Sequence, residues 1–229
     1  MKNKVSTLSR IPFFSDLTQD QFGEIEKISV LRTFDKGEVV FFEGDDSTGL
    51  FVVLDGLVKV FKFSAEGKEQ ILHVFGPGEP VGEVSVFSGQ QFPANAEAIA
   101  KSKLLFVPRA AFVDLIAAHP PIALNMLAVL SKRLRQFAVQ VEHLSLKDVP
   151  GRLAAYLLYL ADEQGKEDRV SLNISKGQLA SLLGTVPETL SRAFARMANN
   201  KLIEVKARSI RLLDRVGLEE LAESGKHGE

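Results

Sequence analysis

Glu188, Ser191 and Arg192 stand at positions i, i+3 and i+4, so on a helix they share one face near its N-terminal end. A guanidinium binds guanine through two parallel hydrogen bonds, a carboxylate accepts from the amino group of cytosine, and a hydroxyl contacts either kind of neighbour. Grouped this way, the three side chains suit reading of base edges in a major groove. Around them, Lys176, Leu179, Ala180, Leu183, Gly184, Thr185, Leu190 and Ala193 follow the spacing of a helix-turn-helix. Leu179 and Leu183 form the buried face of a first helix, Ala180 is small where two helices cross, and Gly184 permits the turn. Thr185 is expected to cap the second helix, whose apolar face is Leu190, Phe194 or Ala193, and Met197. Thr189, Ser175, Lys176, Lys201 and Lys206 are candidates for phosphate contacts, which position a protein without reading sequence. Two short β runs, Leu202–Lys206 and Ser209–Leu213, follow as a wing.

The charge pattern agrees with this and the average does not. The 229 residues carry 28 Lys+Arg against 29 Asp+Glu, a net charge of −1. From Arg169 to Arg211, however, eight basic residues meet only Glu188 and Glu204, giving +6, while 148–168 and 212–229 are each −3. A basic island between acidic flanks is an electrostatic footprint for DNA, although a plain helical hairpin with a solvated basic face would show the same run.

The elements upstream must position this segment. Fourteen of the sixteen phenylalanines lie at or before Phe112, which marks a change of domain. Within that part Gly44, Gly56, Gly67, Gly78 and Gly89 recur at intervals of 12, 11, 11 and 11 residues, separating Val-, Ile- and Phe-rich runs such as Leu50–Leu54, Leu57–Phe63 and Ile71–Phe75. That rhythm predicts an antiparallel β-roll of the jelly-roll type; a β-solenoid fits less well because no side-chain motif repeats. After Pro120-Pro121 a long helix follows, with Leu127, Leu134 and Val141 seven apart and Leu130, Phe137 and Leu144 offset from them by three. These are a and d positions of a dimer seam, and a helix packed on its own domain is equally compatible with the period. The expected fold is α+β: a β-roll over 1–117, a dimerisation helix over 118–147 and a winged helix-turn-helix over 148–229.

Composition removes other classes. With no cysteine there is no disulfide, thiolate zinc site or cysteine-held iron–sulfur cluster. The longest uncharged stretch, Leu115 to Ser131, contains His119, Pro120, Pro121 and Asn125 and does not read as a membrane span, and no export signal precedes it, so a cytoplasmic protein with no membrane partner is expected. Metal-dependent enzymes built on jelly rolls need clustered histidines, whereas His73 is the only one in the roll. A non-enzyme is therefore expected, with a module that regulates another protein through the seam helix as the other alternative.

The order of parts resembles the Crp/Fnr family of bacterial transcription regulators over essentially the full length. The roll signature is visible at Gly44-Asp45, Asp55-Gly56, Glu66-Gly67, Gly78-Glu79 and Gly82-Glu83-Val84-Ser85-Val86-Phe87, and Pro187-Glu188-Thr189-Leu190-Ser191-Arg192 is similar to the reading segment of the Fnr and Dnr branches. The resemblance implies a homodimer on double-stranded DNA, a TTGA-type half-site in an inverted repeat with a GTGA-type site as the alternative, and RNA polymerase as a partner if the protein activates. It implies an effector region at Gly82, Glu83, Phe92, Phe137 and Ala138. Cyclic-AMP sensors carry Arg-Ser where this chain has Gln91-Phe92-Pro93-Ala94, and Thr-Ser where it has Phe137-Ala138, so cyclic AMP is not expected, although a cyclic-nucleotide-responsive regulator is kept as an alternative. Without Fnr's cysteines, the resemblance points to a Dnr/HcpR-like branch responsive to nitrosative stress, with haem as a possible cofactor and His73 as its leading axial ligand ahead of His119 and His143.

Overall fold

The computed structural model describes residues 18–224. Its contacts separate two compact units, one ending at Leu134 and the other beginning at Arg135, so the division falls inside the long helix.

Among the described residues of the first unit the regular turns produce eight strands: β1 (Val30–Phe34), β2 (Val39–Phe41), β3 (Gly49–Asp55), β4 (Val58–Phe63), β5 (Glu69–Phe75), β6 (Pro80–Val81), β7 (Asn95–Ala98) and β8 (Ser102–Pro108). They form two four-stranded antiparallel sheets, ordered β1-β8-β3-β6 and β2-β7-β4-β5. The expected roll is present, and the glycines at 44, 56, 67, 78 and 89 all turn the chain with positive φ. Between the sheets lie Phe34, Phe41, Phe51, Val53, Val58, Phe75, Val81, Phe92, Leu104 and Phe106. Strand β3 is buried on both faces because alternate residues serve two cores: Phe51 and Val53 point between the sheets, while Leu50 and Val52 join a second cluster with Phe22, Ile25, Phe112, Leu115, Ile122 and Met126. That second cluster is the underside of α1 (Gln19–Ile28), α3 (Arg109–Ala118) and the start of the long helix.

A short helix, α2 (Glu83–Ser88), begins at the acid of the Gly82-Glu83 pair. Gly82 caps it with φ 81°. The long helix α4 runs from Pro121 to Leu146, opened by the proline pair as expected. Among the described residues, no single helix is long and apolar enough to cross a membrane.

The second unit contains α5 (Val149–Glu163), β9 (Arg169–Ser171), α6 (Lys176–Leu182), α7 (Pro187–Asn199), β10 (Ile203–Lys206), β11 (Ser209–Leu212) and α8 (Arg215–Ser224). Asp148 caps α5 by accepting from the Gly151 amide at 2.9 Å, and Pro150 sits in its first turn. The wing hairpin β10-β11 gains a third strand, β9, that the sequence reading does not anticipate. Its run is only three residues with one buried side chain, Val170, too short to show a period of two.

Candidate nucleic-acid interface

Local chemistry fixes both helices of the helix-turn-helix. Ser175 and Gln178 cap α6 reciprocally, the Ser175 hydroxyl accepting from the Gln178 amide at 3.2 Å and the Gln178 side chain accepting from the Ser175 amide at 2.8 Å. The chain then turns through Gly184 at φ 65°, where a side chain would be strained. Thr185 does not cap α7. Val186 holds the N-cap position without a side-chain bond, and Pro187 at N1 removes an amide that would otherwise need a partner. Leu190, Ala193, Phe194 and Met197 are buried on one face of α7. That burial leaves Glu188, Ser191 and Arg192 exposed together on the other face, as their spacing requires.

The phosphate candidates fare differently from one another. The hydroxyl of Thr189 accepts from Nη2 of Arg192 at 3.1 Å, so this side chain is engaged within α7. Ser175 is engaged in its capping box, and Lys176 lies with Nζ 5.2 Å from the ring centre of Phe194. Lys201 is exposed in the turn after α7, with φ 58°. Lys206 pairs with Glu204 at 2.9 Å, which holds that carboxyl below its ordinary range and mutes the wing lysine's charge. Arg208, beside Ala207 at φ 55°, is a further exposed cation at the wing tip. Its signal was available, since a two-residue loop between β runs puts its residues at the tip of a hairpin. A second arginine overlooked in the sequence, Arg152 of α5, donates from Nη1 to the Leu183 carbonyl at 2.6 Å and so braces the end of α6.

The roll's effector region has its own geometry. Phe92 is buried and stacked on Phe41, ring centres 3.8 Å apart and planes within 10°. Its edge presses on Gly82 so closely that a Cβ there would lie 2.8 Å from Cε1 of Phe92. Glu83, at the start of α2, is 2% exposed and receives a hydrogen bond from Nη1 of Arg133, itself 7% exposed. Arg133 also donates from Nη2 to the Pro80 carbonyl at 3.2 Å, lies over the ring of Phe75 and has Glu79 at 3.9 Å. Burial pushes the Glu83 carboxyl above its ordinary range, against the pull of Arg133. Burial pushes Glu79 the same way, but His73, the Gly76 amide and Arg133 outweigh it and hold that carboxyl low. Phe137 and Ala138 lie past the unit division on α4, and both are exposed.

Two family models match the chain: a cyclic nucleotide-binding domain over residues 31–119 and a Crp-like helix-turn-helix domain over residues 151–221. The chain is 30% identical to a probable transcriptional regulator, flp, of Lacticaseibacillus casei, covering 93% of this chain and 96% of that protein. It belongs to the Crp/Fnr family of transcription regulators. The cyclic AMP receptor protein of Thermus thermophilus is likewise 30% identical, with 92% and 96% of the two chains covered. Among solved structures, a CRP/FNR-family transcriptional regulator from Thermus thermophilus superposes with a TM-score of 0.65 at 28% identity, over 86% of this chain and 100% of that one. This Crp/Fnr protein is thus a DNA-binding regulator.

Membership raises the question of whether the roll fits the groups used in the family. A cyclic phosphate needs a cationic or multiple-donor partner, whereas the ring of Phe92 lies against Gly82 and the neighbouring guanidinium of Arg133 is held by Glu83. The residues around His73 do not fit an axial haem ligand. Nε2 of His73 faces Glu79 Oε1 at 3.5 Å, and the imidazole packs edge-on against Phe75, 4.6 Å between ring centres. His119 ends α3 and contacts Glu24 at 2.8 Å, while His143 lies on α4, where burial and then Lys147 lower its pKa. Arg133 escapes the sequence reading because it falls off the seam, among the solvent-facing residues. Yet Ile122, Met126 and Arg133 form a second stripe of α4, and all three are buried. Their spacing of four and seven residues puts them on one face, but periodicity gives no sign that its charged member is interior.

Proposed function

We propose that this Crp/Fnr regulator works as a homodimer that reads a TTGA-type inverted repeat. The observation that carries the proposal is the exposed group Glu188, Ser191 and Arg192 on α7, held outward by the burial of Leu190, Ala193, Phe194 and Met197. Its chemistry suits guanine and cytosine edges. Dimerisation is supported by the other stripe of α4: Leu127, Leu134 and Val141 are 59%, 70% and 63% exposed, an arrangement a second copy of the helix would cover. Two-fold symmetry then places two α7 helices about one turn of DNA apart, on half-sites related as an inverted repeat.

The roll would couple an effector to this state through α4. Phe92 over Gly82 and Arg133 against Glu83 fill the region, so an effector acting there must displace the ring or compete for the guanidinium, and must bind the DNA-competent arrangement better than the other.

The test is binding of the full chain to a TTGA inverted repeat by fluorescence anisotropy, beside a duplex with both half-sites scrambled. Specific binding that Arg192→Ala weakens by about 1–3 kcal/mol, with relaxed preference at one base position, is expected. Equal affinity of the wild-type chain for both duplexes would refute the reading.

A further inference from the structure

We infer that Thr189 is the positioning residue for Arg192, and so helps set base specificity instead of contacting the DNA backbone. The inference rests on the DNA-reading role of α7 proposed above. Arginine is a long side chain with several rotatable bonds, and docking it in one orientation costs rotamer freedom. In the free protein Nη2 of Arg192 already donates to Oγ1 of Thr189, one helical turn earlier, at 3.1 Å. Nη2 carries two hydrogens, so one such bond leaves a hydrogen on Nη2 and both on Nη1 for the two acceptors of guanine.

The choice of acceptor is informative. Glu188 lies at i−4 from Arg192, where a carboxylate and a guanidinium on a helix ordinarily pair. Among the described residues Glu188 forms no ion pair with Arg192; the guanidinium is bound to the neutral hydroxyl instead. Thr189 thereby keeps the two charged reading groups separate, the carboxylate available to a cytosine amino group and the guanidinium to a guanine. Thr189 is half-buried beside its helix, so its own side chain is anchored while that of Arg192 is exposed.

The experiment measures affinity of the full chain for the TTGA inverted repeat and for the same duplex with the guanine of both half-sites replaced by adenine, over a series of salt concentrations. Thr189→Val keeps shape and removes the hydroxyl; Thr189→Ser keeps the hydroxyl. Thr189→Val is expected to lower the guanine-over-adenine ratio by about five-fold, the scale of one lost hydrogen bond. The salt dependence should stay unchanged, and Thr189→Ser should restore the ratio. If Thr189 instead serves a phosphate, Thr189→Val will weaken both duplexes equally; that outcome, or a ratio unchanged by Thr189→Val, overturns the inference. A wild-type chain that does not distinguish the two duplexes overturns the DNA-reading role itself, and it is recognised before any variant is compared.

Discussion

Arg133 and Glu83, fifty residues apart in sequence, are joined by a hydrogen-bonded ion pair in which both partners are buried. The pair attaches α4 to the first residue of α2, in the region where the roll's effector is proposed to act. Removing one partner leaves an uncompensated buried charge, whereas removing both leaves none. Arg133→Met and Glu83→Gln should each cost about 3–5 kcal/mol, and the double variant should cost much less than the sum. Urea unfolding of the four proteins measures this, and strictly additive losses would show that the two side chains act separately.

Gly82 and Phe92 form a second coupled pair. Gly82→Ala introduces a Cβ at φ 81° and drives it into the Phe92 ring, so a loss of about 2 kcal/mol or more is expected. Phe92→Ala empties a buried site at a cost of about 3–5 kcal/mol. Combined, the two should lose less than their sum, because the smaller side chain relieves the collision though not the φ strain. Thermal unfolding followed by circular dichroism checks the coupling.

The exposed stripe of α4 should respond to charge without loss of the fold. Leu134→Glu places a carboxylate at a position 70% exposed in the single chain, so the monomer should fold as before. Sedimentation should shift from a dimer toward the 25.1 kDa monomer, with DNA affinity falling in parallel. A Leu134→Glu chain that remains fully dimeric would place the interface elsewhere.

In the winged unit, burial and then the neighbouring Tyr159 push the Tyr156 phenol up to about 12 from its usual 10. Because the folded form holds its proton more tightly than the unfolded form, the resulting stability is fully present below pH 10 and is lost as pH rises through about 12. The loss is about 2–3 kcal/mol across that window. Tyr156→Phe should flatten this part of the stability profile, measured by urea unfolding at stepped alkaline pH. An unchanged slope in that variant would assign the alkaline loss to another group.

How much of this was legible in the sequence follows from the range of each interaction. Turn glycines and alternating strands are local, and the eight-strand roll follows from them. The reading face of α7 is likewise local, since helical periodicity alone puts Glu188, Ser191 and Arg192 opposite Leu190, Phe194 and Met197. Thr185 resembles a cap by residue type, but Val186 and Pro187 begin α7 one residue later by another local device. The heptad stripe of α4 was legible, but its neighbouring buried stripe was masked by a charged residue at its end.

Composition, spacing and periodicity determined the sequence of parts and the exposed chemistry of the recognition helix, because both depend on residues within a few turns of one another. Only the tertiary structure decided that Arg133 is an interior residue, that Phe92 closes over Gly82, and that His73 faces Glu79. Arg133 reaches Glu83 from α4, Phe92 reaches Gly82 from the loop before β7, and Glu79 reaches His73 from the turn after β5, and burial there can reverse what a side chain's polarity suggests. A charged residue can be interior only when a partner from elsewhere in the chain meets it, and periodicity does not reveal that partner.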